Sequence, residues 1–313
     1  MKPAIIILIV LILLYHACTY ALFSVAFVRR RSGRLPFCRE NTEFLRELNA
    51  FHDVMQAGRQ WYDAQEKQPV HIRSRDGLTL RGELLHHPNP RGVVLACHGY
   101  RSTGPRDFSG ACRFYYEMGF SLLVISQRAC GESDGRYITL GVKERFDCLD
   151  WIEFIDRNTQ GRLPIVLAGI SMGATTVLLA AGLPLPERVR AVIADCGFCS
   201  PWEELSGILR ANLHLPVRPM LNGINQWCRR LAGFDLKEAS VTEAMQKTKT
   251  PVLFLHGEAD TYVPCSCSQQ AQAVCRAPSE LLLVPGAGHG MAYLLEPERY
   301  RQTVRDFLAR CGV

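Results

Sequence analysis

Three short stretches carry the residue types that covalent catalysis uses. LAGISMGAT, residues 167–175, sets Ser171 between Gly169 and Gly173 in a G-x-S-x-G spacing. PVLFLHGEAD ends on Asp260, and ELLLVPGAGHG carries His289. A serine hydroxyl is a weak nucleophile until a neighbouring base takes its proton. Histidine is the usual base, and a carboxylate holds it in the working orientation. The order Ser, Asp, His suits that chemistry, but the G-x-S-x-G spacing alone is short enough to recur by chance.

Context makes the spacing informative. The apolar PIVLA precedes Ser171, and MGATTVLLAAG follows with helical character until Gly182 and Pro184. Strand, sharp turn and helix are what a nucleophile elbow requires. Gly169 and Gly173 are needed there because side chains at those positions would collide across the turn. Of nine histidines, His289 alone lies in a loop just past the last apolar run. His98 and His256 each end a run before a glycine, so their backbones look more useful than their rings. The carboxylate is open between Asp260 and Asp195, since both end strand-like runs.

These groups need a scaffold. Stretches at 92–100, 121–135, 164–174, 189–198, 251–260 and 280–290 are apolar runs that end in glycine-rich turns, and they alternate with helical segments such as ERFDCLDWIEFIDR. Runs of this kind predict parallel strands buried on both faces. Their alternation with helices predicts a doubly wound α/β sheet, whose ligands bind beyond the strands' carboxyl ends. PVHIRSRDGLTLRGELL alternates around Asp76-Gly77, a hairpin signal. The interval of about 199–250 is too long for an ordinary crossover. It predicts a helical cap rich in apolar residues, the alternative being two plain surface helices.

Pro3 to Val28 contain no Asp, Glu, Lys or Arg, and about 20 apolar residues cross a bilayer core. Residues 1–28 therefore predict a transmembrane helix, with a cleaved signal peptide as the competing reading. Four arginines, Arg29, Arg30, Arg31 and Arg34, follow it. They place the downstream domain on the cytoplasmic side by the positive-inside rule, as do thirteen cysteines, an odd number. Residues 29–68 read as a helical connector, with Phe44, Leu45, Leu48, Phe51, Val54 and Met55 at roughly helical spacing. The formal net charge is +6. With no basic stripe interleaved with aromatics, nucleic acid is excluded as an expected partner. Cys196 and Cys199 form a lone C-x-x-C; without a second pair at finger-like spacing it implies no metal.

From about Pro69 to Val313 the chain resembles the α/β-hydrolase superfamily. The resemblance rests on His98-Gly99-Tyr100, Gly169-x-Ser171-x-Gly173, His256-Gly257-x-x-Asp260 and Gly286-x-Gly288-His289-Gly290. It is similar in particular to the Bem46-like and serine aminopeptidase-like esterases. The resemblance implies Ser171 as nucleophile, His289 as base and Asp260 as acid. It implies the backbone N–H groups of Tyr100 and Met172 as the oxyanion hole, where such donors are worth about 3 kcal/mol each. It implies no cofactor and a small acyl substrate, hydrophobic if the cap lines its site. A peptidase, an amidase, an acyltransferase or a non-catalytic module on the same scaffold remains an alternative. Dehalogenases and epoxide hydrolases of the fold need an aspartate at position 171. Relatives often carry R-G-x-G-x-S-x-G after the fourth strand; here Ala129 replaces the first glycine.

Overall fold

The computed structural model describes residues 2–30 and 48–313. Eight strands form one sheet: β1 (Gln68–Arg73), β2 (Thr79–Leu85), β3 (Gly92–Cys97), β4 (Phe120–Ser126), β5 (Ile165–Ile170), β6 (Val189–Asp195), β7 (Val252–Gly257) and β8 (Ser279–Val284). Their order is β1-β2-β4-β3-β5-β6-β7-β8. β2 runs antiparallel to β1 and β4, and the remaining pairs are parallel. β3 and β7 are buried along their whole length, as all-parallel packing between helical layers demands.

Nine helices matter to the argument: α1 (Lys2–Phe27), α2 (His52–Asp63), α3 (Ala111–Glu117), α4 (Glu144–Asn158), α5 (Met172–Ala181), α6 (Pro201–Ala211), α7 (Val217–Trp227), α8 (Ser266–Ala273) and α9 (Pro297–Arg310). The period-two alternation of strand side chains divides the core. Val93, Leu95 and Cys97 of β3 pack with α4 and α5, through Trp151, Ile155, Val177 and Leu178. Val94 and Ala96 face α3 and α9, through Phe114, Tyr115, Val304 and Phe307.

The long interval between β6 and β7 holds α6, α7, a π-helical turn at Cys228–Ala232 and a short helix at Val241–Met245. Ser200 caps α6, its Oγ accepting from the Glu203 amide at 3.2 Å. Leu205, Leu209, Leu221 and Ile224 turn inward, whereas Leu231 is 43% exposed. The connector helix α2 lies on the domain rather than free of it. Its Tyr62 is buried and donates to Glu83 Oε2 at 2.9 Å. Phe44 and Leu45 lie outside the described residues.

The apolar helix α1 divides into two unlike halves. From Pro3 to Leu14 every side chain is exposed. From Tyr15 onward the helix docks on α7 and on the segments around Tyr100, Tyr137 and Phe234, with Thr19, Phe23 and Phe27 fully buried. Tyr15 Oη donates to Pro219 O at 2.7 Å, and Trp227 Nε1 to Thr19 Oγ1 at 3.2 Å. The helices touch at Gly223, where a Cβ would lie 2.5 Å from Thr19 Cγ2. Phe27 meets Phe23 and Phe234 at ring separations of 5.5 Å each. Beyond the helix, Val28 bridges to Tyr137 and the Ile138 amide donates to Phe27 O at 2.8 Å.

Candidate active site

β5 ends at Ile170 and α5 begins at Met172, so the whole reversal falls on Ser171. Its φ of 55° and ψ of −118° are strained for a residue with a Cβ, a cost of order 1–3 kcal/mol that the surroundings must hold. The Ser171 amide donates to Asp195 O at 2.8 Å, which fixes the turn from the neighbouring strand. The flanking glycines are steric necessities. A Cβ at Gly169 would sit 2.2 Å from Gly173 O, and one at Gly173 would sit 1.9 Å from Cys97 O.

Three side chains meet at this turn. Ser171 Oγ lies 2.9 Å from His289 Nε2, and His289 Nδ1 lies 2.7 Å from Asp260 Oδ2. Asp260 follows β7, and His289 sits in the loop after β8. The distances fit an imidazole with its proton on Nδ1, donated to Asp260, and a bare Nε2 accepting from the serine hydroxyl. Asp260 is buried, which disfavours its charge. Hydrogen bonds from His256 and His289 outweigh that and hold its carboxyl well below the usual range. Its Oδ1 accepts from the amides of Tyr262 and Val263 at 2.8 Å each.

Asp195 takes a different place. Oδ2 accepts from Tyr300 Oη at 3.2 Å, Oδ1 has no partner among the described residues, and burial lifts its carboxyl to about 6. It is therefore buried behind the turn, its side chain outside the Ser171–His289–Asp260 chain of hydrogen bonds. Cys196 Sγ lies 4.0 Å from His289 Nε2 and forms a cluster with Asp260 and His289. Burial pushes this thiol well up, so it stays protonated and makes a poor metal ligand. Every described cysteine, Cys196 and Cys199 included, is free.

Tyr100 follows Gly99, and Gly99 abuts the nucleophile: a Cβ on it would be 3.4 Å from Ser171 Cβ. The amides of Tyr100 and Met172 thus belong to two segments that converge on Ser171. Several residues that hold them are not evident in the sequence motifs. Asp107 accepts from the Gly99 amide at 2.7 Å and also binds Ser102 Oγ. The His98 ring bonds Gly99 O at 2.7 Å and accepts from the Gln127 amide at 3.1 Å. The His256 ring bonds Ser268 Oγ and Val263 O at 2.7 and 2.9 Å and approaches Asp260 at 3.3 Å. Both rings, and not only their backbones, are structural. The end of α1 also takes part: Tyr100 Oη donates to Ala26 O at 2.5 Å, and Arg101 Nη2 to Val25 O and Val28 O at 2.8 and 2.9 Å. In the turn after β4, Ala129 adopts a φ of 58°, a conformation in which glycine carries no penalty.

The sheet order, the strained serine turn and the clustered side chains define a hydrolase of the α/β type. A model of the alpha/beta hydrolase family matches residues 93–303, and the chain belongs to that family. Among its relatives are the uncharacterized protein YqkD of Bacillus subtilis, 29% identical over 84% of this chain and 85% of its own, and protein bem46 of Schizosaccharomyces pombe, 25% identical over 78% and 77%. Solved structures of like fold include the Pyrococcus furiosus esterase Pf2001, with TM-score 0.64, 21% identity and coverage of 83% of this chain and 93% of that one. Est1E from Butyrivibrio proteoclasticus has TM-score 0.58 and 19% identity, covering 78% and 98%.

Proposed function

We propose that the chain is a membrane-anchored serine hydrolase that cleaves carboxylic esters through an acyl-enzyme. Ser171 Oγ attacks the ester carbonyl while His289 Nε2 takes its proton. Asp260 holds the imidazole and stabilises the imidazolium. The Tyr100 and Met172 amides receive the charge that develops on the carbonyl oxygen. The imidazolium then gives its proton to the departing alcohol, and water, deprotonated by His289, releases the acid. The observation that carries this reading is the pair of hydrogen bonds, 2.9 and 2.7 Å, linking Ser171, His289 and Asp260 at a strained turn.

The proposed organisation is an anchor at 1–28, a connector at 29–68 and a catalytic domain at 69–313 with its cap at about 199–250. Pro3–Phe27 is long and apolar enough to cross a membrane. Retention of this helix is favoured over cleavage because Phe23 and Phe27 fill the core, and because Tyr100 and Arg101 bond to its last carbonyls. The basic residues that follow favour a cytoplasmic catalytic domain. Full-length protein in detergent should react with a fluorophosphonate probe and hydrolyse p-nitrophenyl esters. Ser171→Ala should lose both; labelling that survives the substitution overturns the assignment. An ester, thioester and peptide panel separates esterase from amidase and acyltransferase chemistry.

A further inference from the structure

The residues that follow Tyr100 line a cleft of about 320 Å³, shared with Arg29 and Arg30 just beyond α1's docked end. Arg29, Arg30 and Arg101 face it, with Ser102, Thr103 and Gly131, and among the described residues no acidic one lines it. Arg29 is engaged, donating to Ser133 O and Gly131 O at 2.7 Å each. The nearby acid acting on Arg29 is Asp134, which is exposed and accepts from the Thr79 amide at 3.0 Å. Arg101 is only half engaged. Its Nη2 bonds Val25 O and Val28 O, its guanidinium lies 5.1 Å from the Tyr100 ring centre, and its Nε and Nη1 are buried with no hydrogen-bond partner among the described residues. Two buried donors of a permanent cation left unpaired are costly, and Arg101 is in addition held at a strained φ of 53°. An arrangement of this kind calls for an acceptor.

Resting on the hydrolase reading above, we propose that this cleft is an anion subsite and receives a phosphate group carried by the acyl substrate. Guanidinium groups pair with tetrahedral oxyanions through forked hydrogen bonds, and three of them gather here with no carboxylate among the described lining residues. The placement suits a substrate rather than a remote effector. Gly99 abuts Ser171, and Arg101 is two residues further on, so at 3.8 Å per residue its backbone lies within about 12 Å of the nucleophile. The apolar α1 ends at the same cleft, so a phosphate at headgroup level and an acyl chain can be presented together.

The test uses full-length protein in neutral detergent micelles at fixed ionic strength. Turnover of 1-oleoylglycerol is compared with that of 1-oleoylglycerol 3-phosphate, which carries the same acyl ester. Charge-assisted bonds of this type predict a kcat/KM preference for the phosphorylated ester of about tenfold or more. Arg30→Gln and Arg101→Gln should each bring the ratio of the two substrates toward one. A wild-type ratio of one overturns the proposal. Full-length Ser171→Ala gives a readout independent of turnover: 1-oleoylglycerol 3-phosphate should raise its unfolding temperature above the value with 1-oleoylglycerol, and Arg30→Gln should remove the difference. If inorganic phosphate alone gives the whole rise and inhibits turnover of the neutral ester, the cleft holds free phosphate and the substrate-borne assignment fails. Failure of both esters to turn over, together with absent fluorophosphonate labelling, counts against the hydrolase reading instead, and the Ser171→Ala unfolding shift still decides the subsite.

Discussion

Truncating Phe27 to alanine isolates the part that α1 plays in the catalytic domain. The side chain is completely buried, with Phe23 and Phe234 rings 5.5 Å away on two sides. Removing a buried phenyl ring costs about 3–5 kcal/mol, because apolar transfer energy is lost and the cavity only partly closes. A domain of this size loses roughly 2–4 °C of Tm per kcal/mol, so Phe27→Ala should melt roughly 6–20 °C below wild type. Leu11→Ala is the matched control, since Leu11 is 57% exposed on the same helix; its Tm should stay within about 1 °C. Thermal unfolding of the full chain in detergent reads both. The adjacent carbonyl, Ala26 O, receives the Tyr100 hydroxyl, so Phe27→Ala should also lower kcat on a p-nitrophenyl ester more than it raises KM. Equal melting temperatures for the two variants and wild type would refute the reasoning and reduce α1 to a tether.

Asp260→Asn should lower kcat by about 10⁴-fold, as expected when an amide replaces the carboxylate that orients a catalytic imidazole, whereas Asp195→Asn should stay within about tenfold of wild type; the reverse order would move the acid to Asp195. Burial lifts Asp195 to about 6, against roughly 3.9 in the unfolded chain. The folded state holds that proton more tightly, so its contribution to stability is lost as pH rises from about 4 to 6. Asp195→Asn should abolish a loss of about 3 kcal/mol across that window in denaturant titrations. Gly173→Ala puts a methyl 1.9 Å from Cys97 O, and should cost more than about 3 kcal/mol or prevent folding, measured by soluble yield and Tm. Asp107→Ala frees the Gly99 amide, and should slow fluorophosphonate labelling about tenfold or more with Tm changed by only a few degrees.

The sheet was legible because buried parallel strands announce themselves as apolar runs ending in glycine turns, and GVVLAC, IVLAGI and VLFLHG all lie on strands. The clustering of Ser171, Asp260 and His289 was legible for the same reason: each residue stands just past a strand, and the fold gathers strand ends. Other features left no local mark. The rings of His98 and His256 bond loops through partners such as Gln127 and Ser268, and no spacing rule announces those contacts. The double character of α1 was also hidden. Apolar side chains have the same pattern whether lipid or protein covers them, and the contact from Ala26 to Tyr100 spans 74 residues.

The docking of α1 sets how far the enzyme can stand from a bilayer. Among the described residues of α1, Pro3–Leu14 is the stretch whose every side chain is exposed, roughly 18 Å of helix at 1.5 Å per residue, against a hydrocarbon core of about 30 Å. In the anchored reading proposed above, the tether has no slack. Helix, cap and catalytic turn move as one piece, and any crossing of the core draws α7 and the docked turns of α1 toward the lipid. Diffusion would then bring substrate along the plane of the membrane, with local lipid concentration rather than bulk solubility setting the rate of encounter.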